Sequence, residues 1–309
     1  MKAVRFHCYG GPEVLELEDI PRPVPGASEV LIRVHAAGVN PLDWKVRAGH
    51  VKDWLKHRLP LIPGWDVSGV VAAIGHGHTD FRVGDEVFAL LDFMRDGAYA
   101  EYALAEKRNL APKPTAVDHT RAGATPLAAL TAWQALFDVA DLVSGQTILI
   151  HGAAGGVGHF AVQFAKWKGT RVIGTASAGN EGFLRDLGAD KVIDYRTTEF
   201  EDVVHDVDVV FDTIGGDVQR RSWQVLKKGG ILVTTLGVTS QEEARKLGVR
   251  GEGLLVHPDE AQLAHIGHQI DIGELKPAVT EVLPLAKAAK AHELSQTGHV
   301  RGKIVLRVD

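Results

Sequence analysis

The chain has 309 residues, 45% hydrophobic and 24% charged, with a formal net charge of −5 at pH 7 and one cysteine, Cys8. That length accommodates two domains with separate cores, and the acidic balance argues against nucleic acid or an anionic membrane as the main partner. A lone cysteine excludes an intrachain disulfide and a zinc-holding cysteine cluster, and no run of about 18 apolar residues is present to span a membrane.

The opening Met1-Lys2-Ala3-Val4-Arg5-Phe6-His7 lacks the apolar stretch of a secretory signal, so a cytoplasmic, reducing setting is expected. Up to about residue 118 short alternating or β-branched runs, Lys2 to Phe6, Val14 to Glu18, Val30 to Ala37, Val67 to Ile74 and Glu86 to Ala89, are punctuated by glycine and proline. Such punctuation predicts a small, strongly bent β domain. Pro21 to Gly26 reads as a stiff connector, and Gly97 to Tyr102 as extended chain.

The pattern changes period at about 124. Ala124 to Ala140 reads as helical, and strands then alternate with helices: Ile148–Ile150, helix 157–168, Arg171–Ala176, a helix near Asn180–Leu187 stopped by Gly188, Lys191–Asp194, Val207–Phe211, helix 218–226 stopped by Gly229-Gly230, and Ile231–Leu236. Alternation of this kind predicts right-handed βαβ units on a parallel sheet buried on both faces. A last strand is expected at Leu254–His257, followed by a helix from Pro258-Asp259 toward Gly273. From about Lys276 the character is mixed, closing on the strand Lys303–Val308. This tail is expected to rejoin the first domain. Residues 1–123 with 274–309 would then form a discontinuous catalytic domain and 124–273 an inserted nucleotide-binding domain, with ligands in a cleft between them.

Ile148-Leu149-Ile150-His151-Gly152-Ala153-Ala154-Gly155-Gly156-Val157-Gly158 is an apolar strand running into a glycine turn, and Val157, Phe160, Ala161, Phe164 and Ala165 fall on one face of the helix that follows. Strand, glycine turn and helix in that order make a diphosphate site, because glycines let backbone approach a phosphate and unpaired helix N–H groups face the anion. Ala154, Gly155, Gly156 and Val157 are the expected contacts, with Ala153 standing where the first glycine usually lies. An NAD-selective site places a carboxylate about 20 residues past the glycines to bind the ribose 2′-hydroxyl. Here Ala176 and Ser177 occupy that place, so a 2′-phosphate is not repelled, Ser177 can donate to it, and NADPH is the expected cofactor. Thr213, Leu236 and Gly237 follow the fourth and fifth strands, at the C-terminal edge where open α/β sheets bind ligands. His76-Gly77-His78 invites a metal reading, but it sits in a glycine turn with no third ligand nearby and reads as a solvated loop; His151 reads as packing.

Several stretches together resemble one family. They are Ala37-Gly38-Val39-Asn40-Pro41-Leu42-Asp43-Trp44-Lys45, Pro63-Gly64-Trp65-Asp66-Val67-Ser68-Gly69-Val70-Val71, Val83-Gly84-Asp85, Leu130-Thr131-Ala132-Trp133, the glycine turn, and Gly302-Lys303-Ile304-Val305. Over its whole length the chain is similar to the medium-chain dehydrogenase/reductases, in their zinc-independent quinone oxidoreductase and alkenal/enone reductase branch, the zeta-crystallin-like enzymes. The resemblance implies a GroES-like β-rich catalytic domain with an inserted Rossmann-type doubly wound parallel sheet.

It also implies chemistry. Zinc-dependent relatives carry a thiolate, an imidazole and a second thiolate where Asn40, Trp65 and Leu127 stand, so no metal is expected. The expected reaction is hydride transfer from NADPH to a quinone or an α,β-unsaturated carbonyl compound, with hydrogen-bond donors stabilising the charge that develops on the carbonyl oxygen. By resemblance the donors are Asn40 and the cation Lys45, with Tyr99 as cleft wall or proton donor. The resemblance also implies that Tyr195 contacts the adenosine ribose phosphate, and the neighbouring Arg196, read from the sequence itself, is expected to add charge there. Plainer readings stand beside these: Asn40 before Pro41 as a turn residue, Lys45 as a solvated lysine, Tyr195 as a core tyrosine. A rival from another class is a nucleotide-binding protein of the same fold that has lost turnover and serves as a structural or partner-binding module. A homodimer is expected through Leu254–Val256 as an exposed edge strand.

Overall fold

The computed structural model describes residues 1–77 and 80–308, and the chain forms two compact units, Met1–Leu130 with His257 onward, and Thr131–Val256. The first unit opens with an antiparallel ribbon, β1 (Lys2–Arg5) on β2 (Glu16–Asp19). There follow β3 (Glu29–Val39), helix α1 (Pro41–Arg47), β4 (Asp66–Ile74), β5 (Glu86–Leu90), β6 (Tyr102–Glu106), β7 (Leu110–Pro112) and the helices α2 (His119–Gly123) and α3 (Pro126–Trp133). A π-helical stretch, Gln134–Val139, continues α3.

The second unit contains β8 (Thr147–His151), α4 (Gly158–Trp167), β9 (Arg171–Ala176), α5 (Glu181–Asp186), β10 (Lys191–Asp194), β11 (Val207–Asp212), α6 (Gly216–Ser222), β12 (Leu226–Thr234), α7 (Gln241–Leu247) and β13 (Arg250–Gly253). All its strand pairings are parallel, in the order β10-β9-β8-β11-β12-β13. The first strand therefore sits in the middle and the winding reverses beside it, the Rossmann-type doubly wound arrangement. Leu149, Ile173, Val210 and Leu232 are buried in this unit with Trp223 and Val225, as β-branched strands covered on both faces require.

The chain then returns to the first unit through α8 (Glu260–Asp271), β14 (Val279–Pro284), α9 (Ala288–Gln296) and β15 (Lys303–Arg307). Among the described residues the main sheet of this unit runs β14-β15-β3-β4-β5-β7, with β6 also on β3. The terminal strand pairs antiparallel with β3, Ile304 opposite Val39, so the tail rejoins the first domain. Residues 257–273, read from the sequence with the nucleotide-binding half, pack in the first unit: Asp271 Oδ1 accepts from Ala116 N at 2.8 Å and Thr115 Oγ1 at 3.1 Å.

Several expected elements move. The strand expected at Leu254–His257 lies one segment earlier, at β13, with Ile231 opposite Arg250 and Thr234 opposite Gly253. Its Arg-Gly-Glu-Gly sequence gives no apolar signal, because a Cβ on Gly251 would lie 2.6 Å from the Trp223 ring. The helix expected over 218–226 is α6 and a 3₁₀ turn, Trp223–Val225. Gly229-Gly230 lies inside β12, where the pairing register with β11 shifts, rather than ending a helix. The strand expected at Val14–Glu18 begins at Glu16, after a 3₁₀ turn at Pro12–Val14. Helices α1, α2, α7 and α9 were not anticipated. His78, in the turn considered for a metal, lies outside the described residues.

Candidate active site

In the second unit β8 ends at His151 and Gly152 turns the chain with φ +67°. Gly158 opens α4 against that turn so closely that a Cβ there would stand 2.2 Å from Gly152 O. Gly155 donates its N–H to Gly152 O at 2.9 Å and so shapes the turn. The N–H groups of Ala154, Gly156 and Val157 make no hydrogen bond among the described residues. Such donors at the start of a ten-residue helix fit the pyrophosphate of a dinucleotide. Phe160, Ala161, Phe164 and Ala165 are fully buried behind them, so the helix is seated by the face its spacing predicts.

Ser177 follows β9 and Tyr195 follows β10, and the two strand ends are neighbours: Asp194 pairs with Ala176, and Tyr195 N donates to Ala176 O at 3.3 Å. Ser177 Oγ accepts from Asn180 Nδ2 at 3.1 Å, which leaves its own hydrogen to donate. Tyr195 is 49% exposed, which removes the core-tyrosine reading. The Arg196 guanidinium carbon lies 5.8 Å from the Tyr195 ring centre and makes no ion pair among the described residues.

Past β11 and β12 the loops are fixed by two side chains that sequence reasoning did not single out. Asp212 is fully buried; its Oδ1 accepts from Ile214 N and Gly215 N, each at 2.9 Å, and its Oδ2 from Gln219 Nε2 at 3.0 Å and Thr234 Oγ1 at 3.2 Å. Gln219 also donates to Gly237 O at 3.1 Å and accepts from Thr239 N at 2.7 Å, tying the two loops together. Thr213 Oγ1 donates to His151 O at 3.0 Å, Leu236 is 45% exposed, and Gly237 has φ +82°. All three lie at the C-terminal edge of the sheet. His151 is a core residue: burial pushes its pKa down to about 4. Because Ser222 Oγ already donates to Val218 O, His151 Nε2 carries the hydrogen and donates to Ser222 Oγ, while Nδ1 accepts from Thr175.

In the first unit Asn40, Asp66 and Lys303 converge because β15, β3 and β4 are adjacent. Ile304 opposite Val39 and Gly38 opposite Asp66 bring the three strand ends together. Gly38 is obligatory here, since a Cβ would meet Asp66 Oδ2 at 2.7 Å. Asn40 is 2% exposed; its Nδ2 donates to Asp66 Oδ2 at 2.8 Å and its Oδ1 accepts from Lys303 Nζ. Lys303 Nζ also lies 3.1 Å from Asp66 Oδ2, and Asp66 Oδ1 accepts from Leu127 N at 2.6 Å. The position where zinc-dependent relatives hold a second thiolate therefore contributes its backbone here. Trp65 is fully buried, with its Nε1 donating to Arg95 O at 3.1 Å.

Asn40 also caps α1, whose first residue is Pro41, and Asp43 Oδ2 accepts from Asn40 N at 2.8 Å. Tyr99 has no exposed surface, and its hydroxyl donates to Asp43 Oδ2 at 2.9 Å. This corrects the expectation of a cleft-wall residue or proton donor: its hydrogen is committed to a buried carboxylate. Burial raises the Asp43 pKa to about 7. His292 Nε2 lies 3.3 Å from Tyr99 Oη, and Arg47 donates toward His292 Nδ1 at 3.5 Å. Lys45 is half-buried, which lowers its ammonium pKa, and its Nζ sits 5.7 Å from the Trp44 ring centre. Among the described residues its side chain makes no hydrogen bond or salt bridge.

A Rossmann-type sheet with unpaired N–H groups at its glycine turn, in one chain with a GroES-like β unit, defines a nucleotide-dependent oxidoreductase of the medium-chain type. The chain belongs to the medium-chain dehydrogenase/reductases, in the zinc-independent quinone oxidoreductase and alkenal/enone reductase branch. Residues 26–115 match the family model described as alcohol dehydrogenase GroES-like domain, and residues 187–306 the one described as zinc-binding dehydrogenase. The chloroplast envelope quinone oxidoreductase homolog of Arabidopsis thaliana is 33% identical, over 99% of this chain and 98% of that protein. The chloroplastic NADPH-dependent alkenal/one oxidoreductase of the same plant is 36% identical, over 99% of this chain and 79% of that protein. The solved quinone oxidoreductase of Coxiella burnetii superposes with a TM-score of 0.93 at 38% identity, covering 100% of this chain and 99% of that one. No helix among the described residues is long and apolar enough to cross a membrane.

Proposed function

We propose that this chain is an NADPH-dependent, zinc-independent reductase that transfers hydride to a quinone or an α,β-unsaturated carbonyl compound. The observation that carries the cofactor reading is the corner formed by the ends of β9 and β10. There Ser177, exposed Tyr195 and Arg196 gather; β9 ends in Ala176 with no carboxylate where an NAD-selective site would carry one, and the Asp194 carboxylate that ends β10 accepts from Arg196 N at 3.1 Å. An arginine and a hydroxyl favour a 2′-phosphate, whereas a carboxylate would repel it. The name of the plant alkenal/one oxidoreductase supports the same cofactor.

NADPH, when bound, supplies the hydride. Ala154, Gly156 and Val157 would hold its pyrophosphate, with Gly155 shaping the turn, and Thr213, Leu236 and Gly237 would line the nicotinamide end. Asn40 is proposed to donate to the acceptor's carbonyl oxygen, where charge develops, and Lys45 to supply a nearby cation. Tyr99 is proposed as a support for Asp43 and α1, and the proton that completes reduction comes from water. A cytoplasmic setting fits the single cysteine, and a homodimer fits the outer edge of β13, which among the described residues pairs with no further strand.

The test is NADPH oxidation, followed by loss of cofactor absorbance, across quinones, 2-alkenals and cyclic enones, with kcat/KM for NADPH and NADH compared on the best acceptor. A preference for NADPH supports the reading and a preference for NADH overturns the cofactor assignment. Saturable NADPH binding with no acceptor reduced favours the rival, a binding module of the same fold.

A further inference from the structure

A carbonyl-polarising amide must present nitrogen and not oxygen to its substrate, and Asn40 is held so that its two ends cannot exchange. Asn40 Nδ2 donates to Asp66 Oδ2 at 2.8 Å, Lys303 Nζ lies 3.1 Å from that same oxygen, and Lys303 Nζ also donates to Asn40 Oδ1. The three groups close a ring. An ammonium has donors only and a carboxylate acceptors only, so the amide atom facing Lys303 must be oxygen and the one facing Asp66 must be nitrogen. Turning the amide over would set N–H against NH₃⁺ and C=O against COO⁻. The lysine and aspartate side chains are 3% and 0% exposed, so water does not screen either contact. An amide nitrogen carries two hydrogens: one goes to Asp66, and the other has no acceptor among the described residues.

We infer that Lys303, with Asp66, is a positioning residue for the reaction: the buried ion pair locks the Asn40 amide so that its remaining N–H is the group offered to the substrate's carbonyl oxygen. The inference rests on the proposed role of Asn40 and names the device that sets it. The chain builds the device locally. Gly302, with φ +60°, turns Lys303 into β15, where a Cβ would lie 2.4 Å from Ala278 O, and Lys303 N donates to Ala278 O at 2.9 Å. Leu127 N occupies the other oxygen of Asp66, which fixes the carboxylate that orients the amide.

Removing Lys303 alone would strand a buried carboxylate and endanger folding, so the informative variant is charge-balanced, Lys303→Met with Asp66→Asn. In it the wild-type orientation of the Asn40 amide is no longer imposed: Leu127 N–H keeps the oxygen of the new amide at position 66, whose nitrogen then faces Asn40 and favours the reversed orientation. Its kcat is expected to fall roughly 10-fold or more, as for other losses of alignment, while NADPH affinity, read by fluorescence titration, is unchanged. Adding Asn40→Ala to the pair is expected to lower kcat no further than Asn40→Ala alone, because both act through one N–H. Wild-type kcat in the paired variant, or losses that multiply, would overturn the inference. A second readout needs no substrate. The Asn40 side-chain ¹⁵N–¹H₂ resonances are expected to be a single, slowly exchanging pair in the wild-type protein and to shift, broaden or double in the paired variant; an unchanged pair overturns the lock. If the wild-type protein reduces no acceptor, the proposed function fails by itself, while the resonances still decide the lock.

Discussion

Tyr99 donates its hydroxyl hydrogen to Asp43 Oδ2 at 2.9 Å, and both side chains are fully buried. The donors run one way: Arg47 toward His292 Nδ1, His292 Nε2–H toward Tyr99 Oη, Tyr99 O–H toward Asp43. Burial, with the adjacent Arg47 charge, pushes the His292 pKa down to about 3, so its ring is neutral and takes this one tautomer.

Stability should depend on pH through Asp43. Burial raises its folded pKa from 3.8 to about 7, with the neighbouring Asp66 charge adding and the hydrogen bonds from Asn40 and Tyr99 opposing. Between those values the folded state holds a proton that the unfolded state has released. Its contribution is therefore greatest below the unfolded pKa and declines as pH rises toward about 7, by up to about 4 kcal/mol. Asp43→Asn, which retains an acceptor for Tyr99, should flatten that slope. Urea melts of both proteins between pH 5 and 8 measure it, and parallel slopes would refute the assignment.

Asn40→Ala should lower kcat by roughly 100-fold, the typical cost of deleting one preorganised donor, while leaving the Kd for NADPH within about two-fold, since its polar contacts lie on Asp66, Lys303 and Asp43 in the first unit. Some stability is also lost, because Lys303 and Asp66 lose a buried partner. Steady-state kinetics beside a fluorescence titration separate the effects, and an unchanged kcat removes Asn40 from the mechanism.

Much of this was legible from the chain because the informative features are local. The strand, glycine turn and helix at 148–167 depend on spacing that a single stretch carries. The Ser240-Gln241-Glu242-Glu243 start of α7 is equally local, with Ser240 accepting from Glu243 N at 3.1 Å, but its short helix carries little apolar periodicity. What the sequence hid depends on distant residues. Lys303 reaches Asn40 across 263 positions, and nothing in Gly302-Lys303-Ile304 says where the ammonium goes. Asp212 and Gln219 looked like a strand end and a helix residue; their importance appears only when four hydrogen bonds meet on one carboxylate. Gly251 concealed a strand because a tryptophan elsewhere needs the space.

Arg196→Gln should weaken NADPH selectively. The guanidinium is exposed and unpaired among the described residues, so its removal disturbs no folded contact beyond the Tyr195 ring. NADH lacks the 2′-phosphate and should bind as before. The expected change is roughly a 10-fold rise in Kd for NADPH, within the range of one charge-assisted hydrogen bond. Titration of both cofactors into both proteins checks it, and equal losses would show that Arg196 supports the fold and not the phosphate.

The outer edge of β13 should pair with its copy. Among the described residues this strand ends the six-stranded sheet and pairs with no strand but β12, although Gly251 O accepts from Gln241 Nε2 at 2.7 Å. The edge is Arg250-Gly251-Glu252-Gly253, not the apolar Leu254–Val256 first expected there, which follows the strand and includes Leu255 at 57% exposure. A second copy across a two-fold axis would complete the backbone donors and acceptors left on this edge, displacing Gln241 from Gly251 O, and would join two sheets into one. Opposed copies would also set Arg250 of one chain near Glu252 of the other in an antiparallel pairing centred between them, a favourable cross-strand match. Sedimentation equilibrium at micromolar concentration should therefore give twice the chain mass of 33.3 kDa. Amide exchange should show protection along 250–253 that fades on dilution. A single species of chain mass across that range would refute the pairing.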